Sequence, residues 1–183
     1  IAAPGQGAQT PGFLAPWLDN AEFRRFLDEA AEITGLDLIH LGTEADAETI
    51  RDTAIAQPLL VAAGLASGAA LGSPAPALWA GHSVGEITAA GLSGALSTAD
   101  ALALVAARGR AMAEAAAITP TGMTAVLGGD RDEVLAALAA HGLTPANDNG
   151  PGQIVAAGTM PQLEALAAAP PAGEHGVPGL RAV

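Results

Sequence analysis

The sequence predicts an α/β protein: a parallel sheet whose strands run into tight glycine-bearing turns, followed by a small α+β unit. Three observations carry this. The apolar segment Ala77-Leu78-Trp79-Ala80 runs straight into Gly81-His82-Ser83-Val84-Gly85, and helical spacing resumes after it. A second short apolar segment, Ile1-Ala2-Ala3-Pro4, runs into Gly5-Gln6-Gly7-Ala8-Gln9. Beyond Thr119-Pro120-Thr121-Gly122, segments follow in the order strand, helix, strand, strand, helix.

Residues 1–4 read as the end of a short buried strand, and 5–9 as a loop whose glycines let backbone N–H groups face into a site. The spacing over 19–34 predicts a helix, with Phe23, Phe26, Leu27, Ala30 and Ile33 on one face. Asp19 or Asn20 can cap it, and Gly35 can close it. Gln57-Pro58 is expected to open the next helix, with Pro58 in the first turn, where its missing N–H costs nothing. That helix runs to about Leu71 and is apolar on most sides, so it is expected to be buried. Ser73-Pro74-Ala75-Pro76 reads as a linker. The helix after Gly85 extends to about Gly91. Ser97 opens another, with Asp100 as a capping partner, and it carries Arg108 and Arg110 to about Ala117. Then come a strand (123–127), a helix (131–141), a strand (143–147), a turn at Asn149-Gly150-Pro151-Gly152, a strand (153–157) and a helix (161–168). Residues 176–183 are expected to add the last strand of a split-βαβ, ferredoxin-like unit. The expected domains are therefore 1–119, an α/β-hydrolase-like large subdomain in its N-terminal part only, and 120–183, the small subdomain.

Composition narrows the function. Half of the 183 residues are apolar, which suits a chain with a packed core. The net charge of −12 repels phosphate backbones, so nucleic-acid binding is not expected. There is no cysteine, hence no disulfide, thiol nucleophile or thiolate metal site, which fits the cytoplasm. The longest apolar run, 59–71, falls short of the roughly 20 residues that span a bilayer, and no membrane attachment is expected. The chain starts at Ile1 without Met and stops at Val183 in mid-pattern, so it is expected to be a fragment.

Gly-x-Ser-x-Gly between a strand and a helix is a nucleophile elbow. Its glycines allow the sharp turn and the close approach of neighbouring chains. The serine hydroxyl is then exposed at the strand's end, where the next helix N-terminus favours negative charge. The bland alternative is a simple strand-to-helix turn. A serine nucleophile also needs an oxyanion hole, for which the N–H of Val84 and the Gly5-Gln6-Gly7 loop are candidates. On helix position alone, Arg108 would be a surface residue paired with a nearby acid, and Gln57 a helix-terminal residue capping its own backbone. Arg110 reads as a solvated helix residue, and Glu86 sits in a first turn, where an acid is favourable in any case.

Taken in order, Gly5-Gln6-Gly7-Ala8-Gln9, Gln57-Pro58, Gly81-His82-Ser83-Val84-Gly85-Glu86 and Arg108-Gly109 resemble the malonyl-CoA:acyl carrier protein transacylases and the related acyltransferase domains of fatty acid and polyketide synthases. The resemblance covers the whole chain. It implies an acyltransferase that moves a malonyl group from CoA to the phosphopantetheine thiol of an acyl carrier protein through an acyl-serine. Ser83 is then the nucleophile, and the backbone N–H groups of Gln6 and Val84 form the oxyanion hole. Arg108 pairs with the malonyl carboxylate, a role that a guanidinium fork suits. Gln57 lines the pocket, and His82 is a supporting residue. No metal and no cofactor are implied beyond the two substrates, and the discrete protein is expected to be a monomer. The family's catalytic base is a His just after the strand that leaves the small subdomain. His40, His141 and His175 do not match that position, so the base is expected to lie outside this chain and the 183 residues to be inactive alone. The rival readings are a serine esterase or thioesterase on the same elbow, and a non-catalytic remnant.

Overall fold

The computed structural model describes residues 1–72, 78–150, 152–171 and 181–182. The chain divides into two compact units, Ile1–Ala115 and Ala116–Val183, with the division inside one long helix.

In the first unit, β1 (Ala2–Ala3) and β2 (Ala80–Gly81) pair in parallel, Ala2 opposite Ala80 and Ala3 opposite Gly81. The strand expected at 77–80 is thus shifted towards the elbow; Ala77 lies outside the described residues, as does the linker at 73–76. Helix α1 (Ala21–Thr34) is capped by Asn20, whose side chain accepts from the N–H groups of Glu22 and Phe23. Gly35 closes it at φ 74°, where a β-carbon would be strained. Phe23, Leu27 and Ala30 are buried as expected, but Ile33 is 41% exposed and Thr34 is buried instead. At about 100° per residue, Thr34 falls within the arc set by the other three and Ile33 about 60° outside it. The Thr34 hydroxyl donates to the Ala30 carbonyl at 2.9 Å, which makes its burial tolerable.

A short helix α2 (Leu38–Thr43) follows, and then α3 (Thr53–Ala70). The latter corrects the reading of Gln57-Pro58 as a helix start. Asp52 caps α3 by accepting from the Ala54 N–H at 2.8 Å, and Pro58 lies within the helix. The helix therefore gives up the bond that residue 58 would have donated to the Ala54 carbonyl. The earlier start lengthens α3 to 18 residues, long and apolar enough by composition to cross a membrane; it is instead the mostly buried core helix of this unit. Helix α4 (Gly85–Leu92) leaves the elbow, and α5 (Thr98–Ile118) begins where Ser97 accepts from the Asp100 N–H at 3.0 Å. Phe23, Leu27, Leu59, Val61, Val84, Leu102 and Val105 join one buried cluster.

The second unit has the order β3 (Thr121–Leu127), α6 (Arg131–Ala140), β4 (Thr144–Asp148), β5 (Gln153–Thr159), α7 (Met160–Ala168), β6 (Arg181–Ala182). Its sheet runs β4-β5-β3-β6, antiparallel at every pairing. β3 begins two residues before the expected 123, because Thr121 and Gly122 pair with Thr159 and Gly158 instead of forming the connecting turn. The described end of the expected final strand, Arg181–Ala182, pairs with Ala125 and Thr124; the rest of 176–183 lies outside the described residues. Val126, Ile154 and Ala156 meet Val134 and Leu138 of α6 and Leu163 and Leu166 of α7 in a separate core. β4 is exposed throughout and irregular between Pro145 and Asn147, as befits an edge strand.

Candidate active site

The elbow between β2 and α4 is held by backbone contacts. His82 N–H donates to the Ala3 carbonyl at 3.1 Å, continuing the parallel pairing one residue past Gly81. Gly85 N–H returns to the His82 carbonyl and Glu86 N–H to the Ser83 carbonyl, each at 3.0 Å. A β-carbon on Gly81 would run into the backbone of Gly85 and Glu86, and one on Gly85 into the Ala3 and Pro4 carbonyls. Both glycines are thus required by space. Ser83 sits at φ 53°, the only non-glycine residue with positive φ among those described. Such a backbone costs energy and is kept where surrounding contacts enforce it. Ser83 is exposed, while Val84 beside it is 1% exposed and locked into the core.

The Gly5-Gln6-Gly7 loop lies against this turn. A β-carbon on Gly5 would meet the His82 ring at 2.7 Å and the His82 carbonyl at 2.9 Å. His82 therefore packs against the loop. Neither the Gln6 nor the Val84 backbone N–H is spent on an acceptor among the described residues.

A side-chain relay extends from this loop. Gln6 Nε2 donates to the Arg51 carbonyl and to Thr53 Oγ1, each at 3.3 Å. Gln57, 2% exposed, donates through Nε2 to Gln6 Oε1 at 3.4 Å and to Met112 Sδ at 3.3 Å. Its Oε1 accepts from Arg108 Nη1. The structure thus brings Gln6, Gln57 and Arg108 into one chain of contacts. Gly109 makes this possible: a β-carbon there would lie 3.1 Å from the Thr53 carbonyl, so α5 can press against the first turn of α3.

Arg108 is half-buried, and no carboxylate pairs with it among the described residues. A neutral amide orients its guanidinium and leaves its charge uncompensated. The described residues hold no acid paired with Arg108 of the kind the bland reading requires, and a carboxylate ligand would find a ready fork. Arg110 is exposed. Among the described residues, no group of three or more His, Cys, Asp or Glu could hold a metal ion. His40 lies 3.4 Å from Glu44 on α2, and His141 is the residue that ends α6; His175 lies outside the described residues. Sequence reasoning missed Met112, whose place four residues after Arg108 on α5 puts both on one helical face, and Thr53, hidden by the mistaken helix start. An apolar cavity of about 290 Å³, lined by Leu60, Ala63, Trp79, Thr88 and Leu92 among others, includes neither Ser83, Gln57 nor Arg108.

Residues 3–173 match the family described as acyl transferase domain. The malonyl CoA-acyl carrier protein transacylase of Mycobacterium tuberculosis (strain ATCC 25618 / H37Rv) is 49% identical over 177 residues, which cover 94% of this chain and 59% of the relative. The chain thus spans about three fifths of that relative's length. The crystal structure of MCAT from Mycobacterium tuberculosis superposes with a TM-score of 0.91 at 48% identity, over all of this chain and 61% of that one. A malonyl-transacylase in complex with its type II PKS acyl-carrier protein gives 0.81 at 31% identity, over 97% of this chain and 62% of that one. These solved structures carry the α/β fold with a parallel sheet and helices.

Proposed function

The chain belongs to the acyl transferase domain family, and on that premise we propose that its elbow transfers a malonyl group from CoA to the phosphopantetheine thiol of an acyl carrier protein. One observation carries the choice of acyl group: Arg108 is held by the neutral amide of Gln57, with no carboxylate paired with it among the described residues.

Ser83 Oγ attacks the thioester carbonyl while an imidazole takes its proton. The C–S bond breaks, the proton passes to the departing CoA sulfur, and a malonyl-serine ester remains. The oxyanion of each tetrahedral intermediate accepts from the Gln6 and Val84 N–H groups. The malonyl carboxylate rests on Arg108. The carrier thiol then gives its proton to the same imidazole, its sulfur attacks the ester, and Ser83 is reprotonated. We assign that imidazole to a residue outside these 183. No electrons change hands, so the proposal calls for no redox cofactor. The reading includes an α/β-hydrolase-like core in the first unit and a ferredoxin-like fold in the second, whose strand order supports it. It also includes a cytoplasmic monomer whose negative charge disfavours nucleic acid.

The test is incubation of the natural full-length protein with radiolabelled malonyl-CoA, followed by peptide mapping. Label is expected on Ser83 and is expected to vanish in Ser83→Ala. Arg108→Ala should lower malonyl transfer by about 100-fold, as expected when a charge-assisted carboxylate contact is lost. Undiminished ester hydrolysis by Arg108→Ala, with no malonyl transfer by either protein, would instead identify a serine esterase or thioesterase.

A further inference from the structure

We propose that Gln9 is a positioning residue for the oxyanion hole, an inference that rests on the acyl-transfer reading above. Gln9 Oε1 accepts from the Gly7 N–H at 2.8 Å, and its Nε2 donates to the Ile50 carbonyl at 3.0 Å. The chemistry of the partners fixes the amide's orientation, since a backbone N–H can only donate and a carbonyl can only accept.

Ile50 is a firm anchor, 2% exposed and part of the first unit's core. Gln6 reaches the adjoining stretch, the Arg51 carbonyl and Thr53 Oγ1. Two glutamine side chains, one on each side of Gly7, therefore fasten a glycine-rich loop to residues 50–53. Gly7 itself sits at φ 104° with nothing near the place of a β-carbon, so packing does not hold it. The Gln9 amide supplies that hold. It also decides which N–H faces the reaction. Gly7's is consumed inside the loop, and the neighbouring Gln6 N–H is left with no acceptor among the described residues. Without Gln9, the Gly7 N–H loses its partner and the aim of the Gln6 N–H is no longer fixed.

An oxyanion donor acts on the transition state more than on bound substrate, so the loss should fall on kcat. Loss of a donor outright costs about 100- to 1000-fold, and misaiming one should cost less. In the natural full-length protein, Gln9→Met, of similar size but without either bond, should lower kcat for malonyl transfer by about 10- to 100-fold. KM for malonyl-CoA should stay within about threefold. Gln9→Glu still accepts from Gly7 and should recover part of kcat. If Gln9→Met does not fold, Gln9→Asn, too short to reach both partners, carries the same comparison. Wild-type kcat in these variants, or a loss confined to KM, overturns the role of Gln9 provided Ser83→Ala is inactive. Malonyl transfer by Ser83→Ala would overturn the underlying reading as well.

Discussion

Three glycines of the first unit stand where one backbone meets another, whereas Gly7 and Gly35 there serve turns. Gly81 faces Gly85 and Glu86, Gly85 faces Ala3 and Pro4, and Gly109 faces Thr53 and Ala54. In the second unit, Gly128 and Gly150 have open space around them and stand where the chain must turn, at φ 80° and 100°. The one set serves proximity, the other direction. The units also differ in the use of a glutamine. Gln57 ties together side chains from a loop and α5, whereas Gln162 ties backbone: its Oε1 accepts from the Thr159 N–H at 2.8 Å and its Nε2 donates to the Gly142 carbonyl at 2.9 Å. The lesson is that segments distant in sequence converge on the candidate site in the first unit, while the second unit mainly closes its own sheet and helices.

The sharpest way to break this contrast is to add one methyl group in each unit. Gly85→Ala pits a β-carbon against two carbonyls that cannot swing away, and should cost about 3 kcal/mol or more. Gly150→Ala meets only torsional strain and should cost about 1 kcal/mol. Denaturant unfolding measures both, and equal losses would erase the distinction between proximity and direction.

A smaller effect separates the glutamines. Gln57→Ala removes the acceptor of a half-buried guanidinium and should cost about 2 kcal/mol. Gln162→Ala loses the reach-back bond at the start of α7 and should cost about 1 kcal/mol. Malonate affinity, measured by calorimetry, should fall in the first variant and stay put in the second. A fall in both would mean that Gln57 matters only for folding.

Much of this was legible in the residues. The elbow was, because space forces glycine at both ends of it. So was α1, because Asn20 and Gly35 punctuate a regular apolar face. The order of Gln6, Gln57, Ser83 and Arg108 pointed to one site. The start of α3 was not legible: Pro58 is a strong signal for a first turn, and the true cap, Asp52, is one of many acids. The clamp from Gln9 to Ile50 was hidden for another reason. It joins residues 41 apart in sequence, and a side chain bonding a backbone carbonyl leaves no pattern in residue type. Thr34 was missed because an apolar pattern passes over a polar residue, although its spacing puts it on the buried arc.

The smallest expected effect concerns one acid in each unit. The Thr49 N–H, donating to Asp46 at 2.8 Å, holds that carboxyl below its ordinary value, with the Thr49 hydroxyl adding to it. A hydrogen bond from Arg131, at 2.7 Å, does the same for Asp148. With the folded pKa below the unfolded one, each contributes stability that is present above the unfolded carboxylate pKa. That stability is lost as pH falls through the folded value. In a carboxyl-detected NMR titration, Arg131→Gln should return Asp148 towards the ordinary range and leave Asp46 unmoved. A shift of both would mean that the two carboxyls are coupled.

The φ of 53° at Ser83 has an evolutionary reading. Glycine would occupy that backbone with less strain, so the residue best suited to folding there is one with no hydroxyl. A copy of this gene released from its task and selected only for a stable product would drift towards glycine at position 83. If Ser83 carries the acyl group as proposed, position 83 gives up stability for a hydroxyl that selection for stability alone would remove.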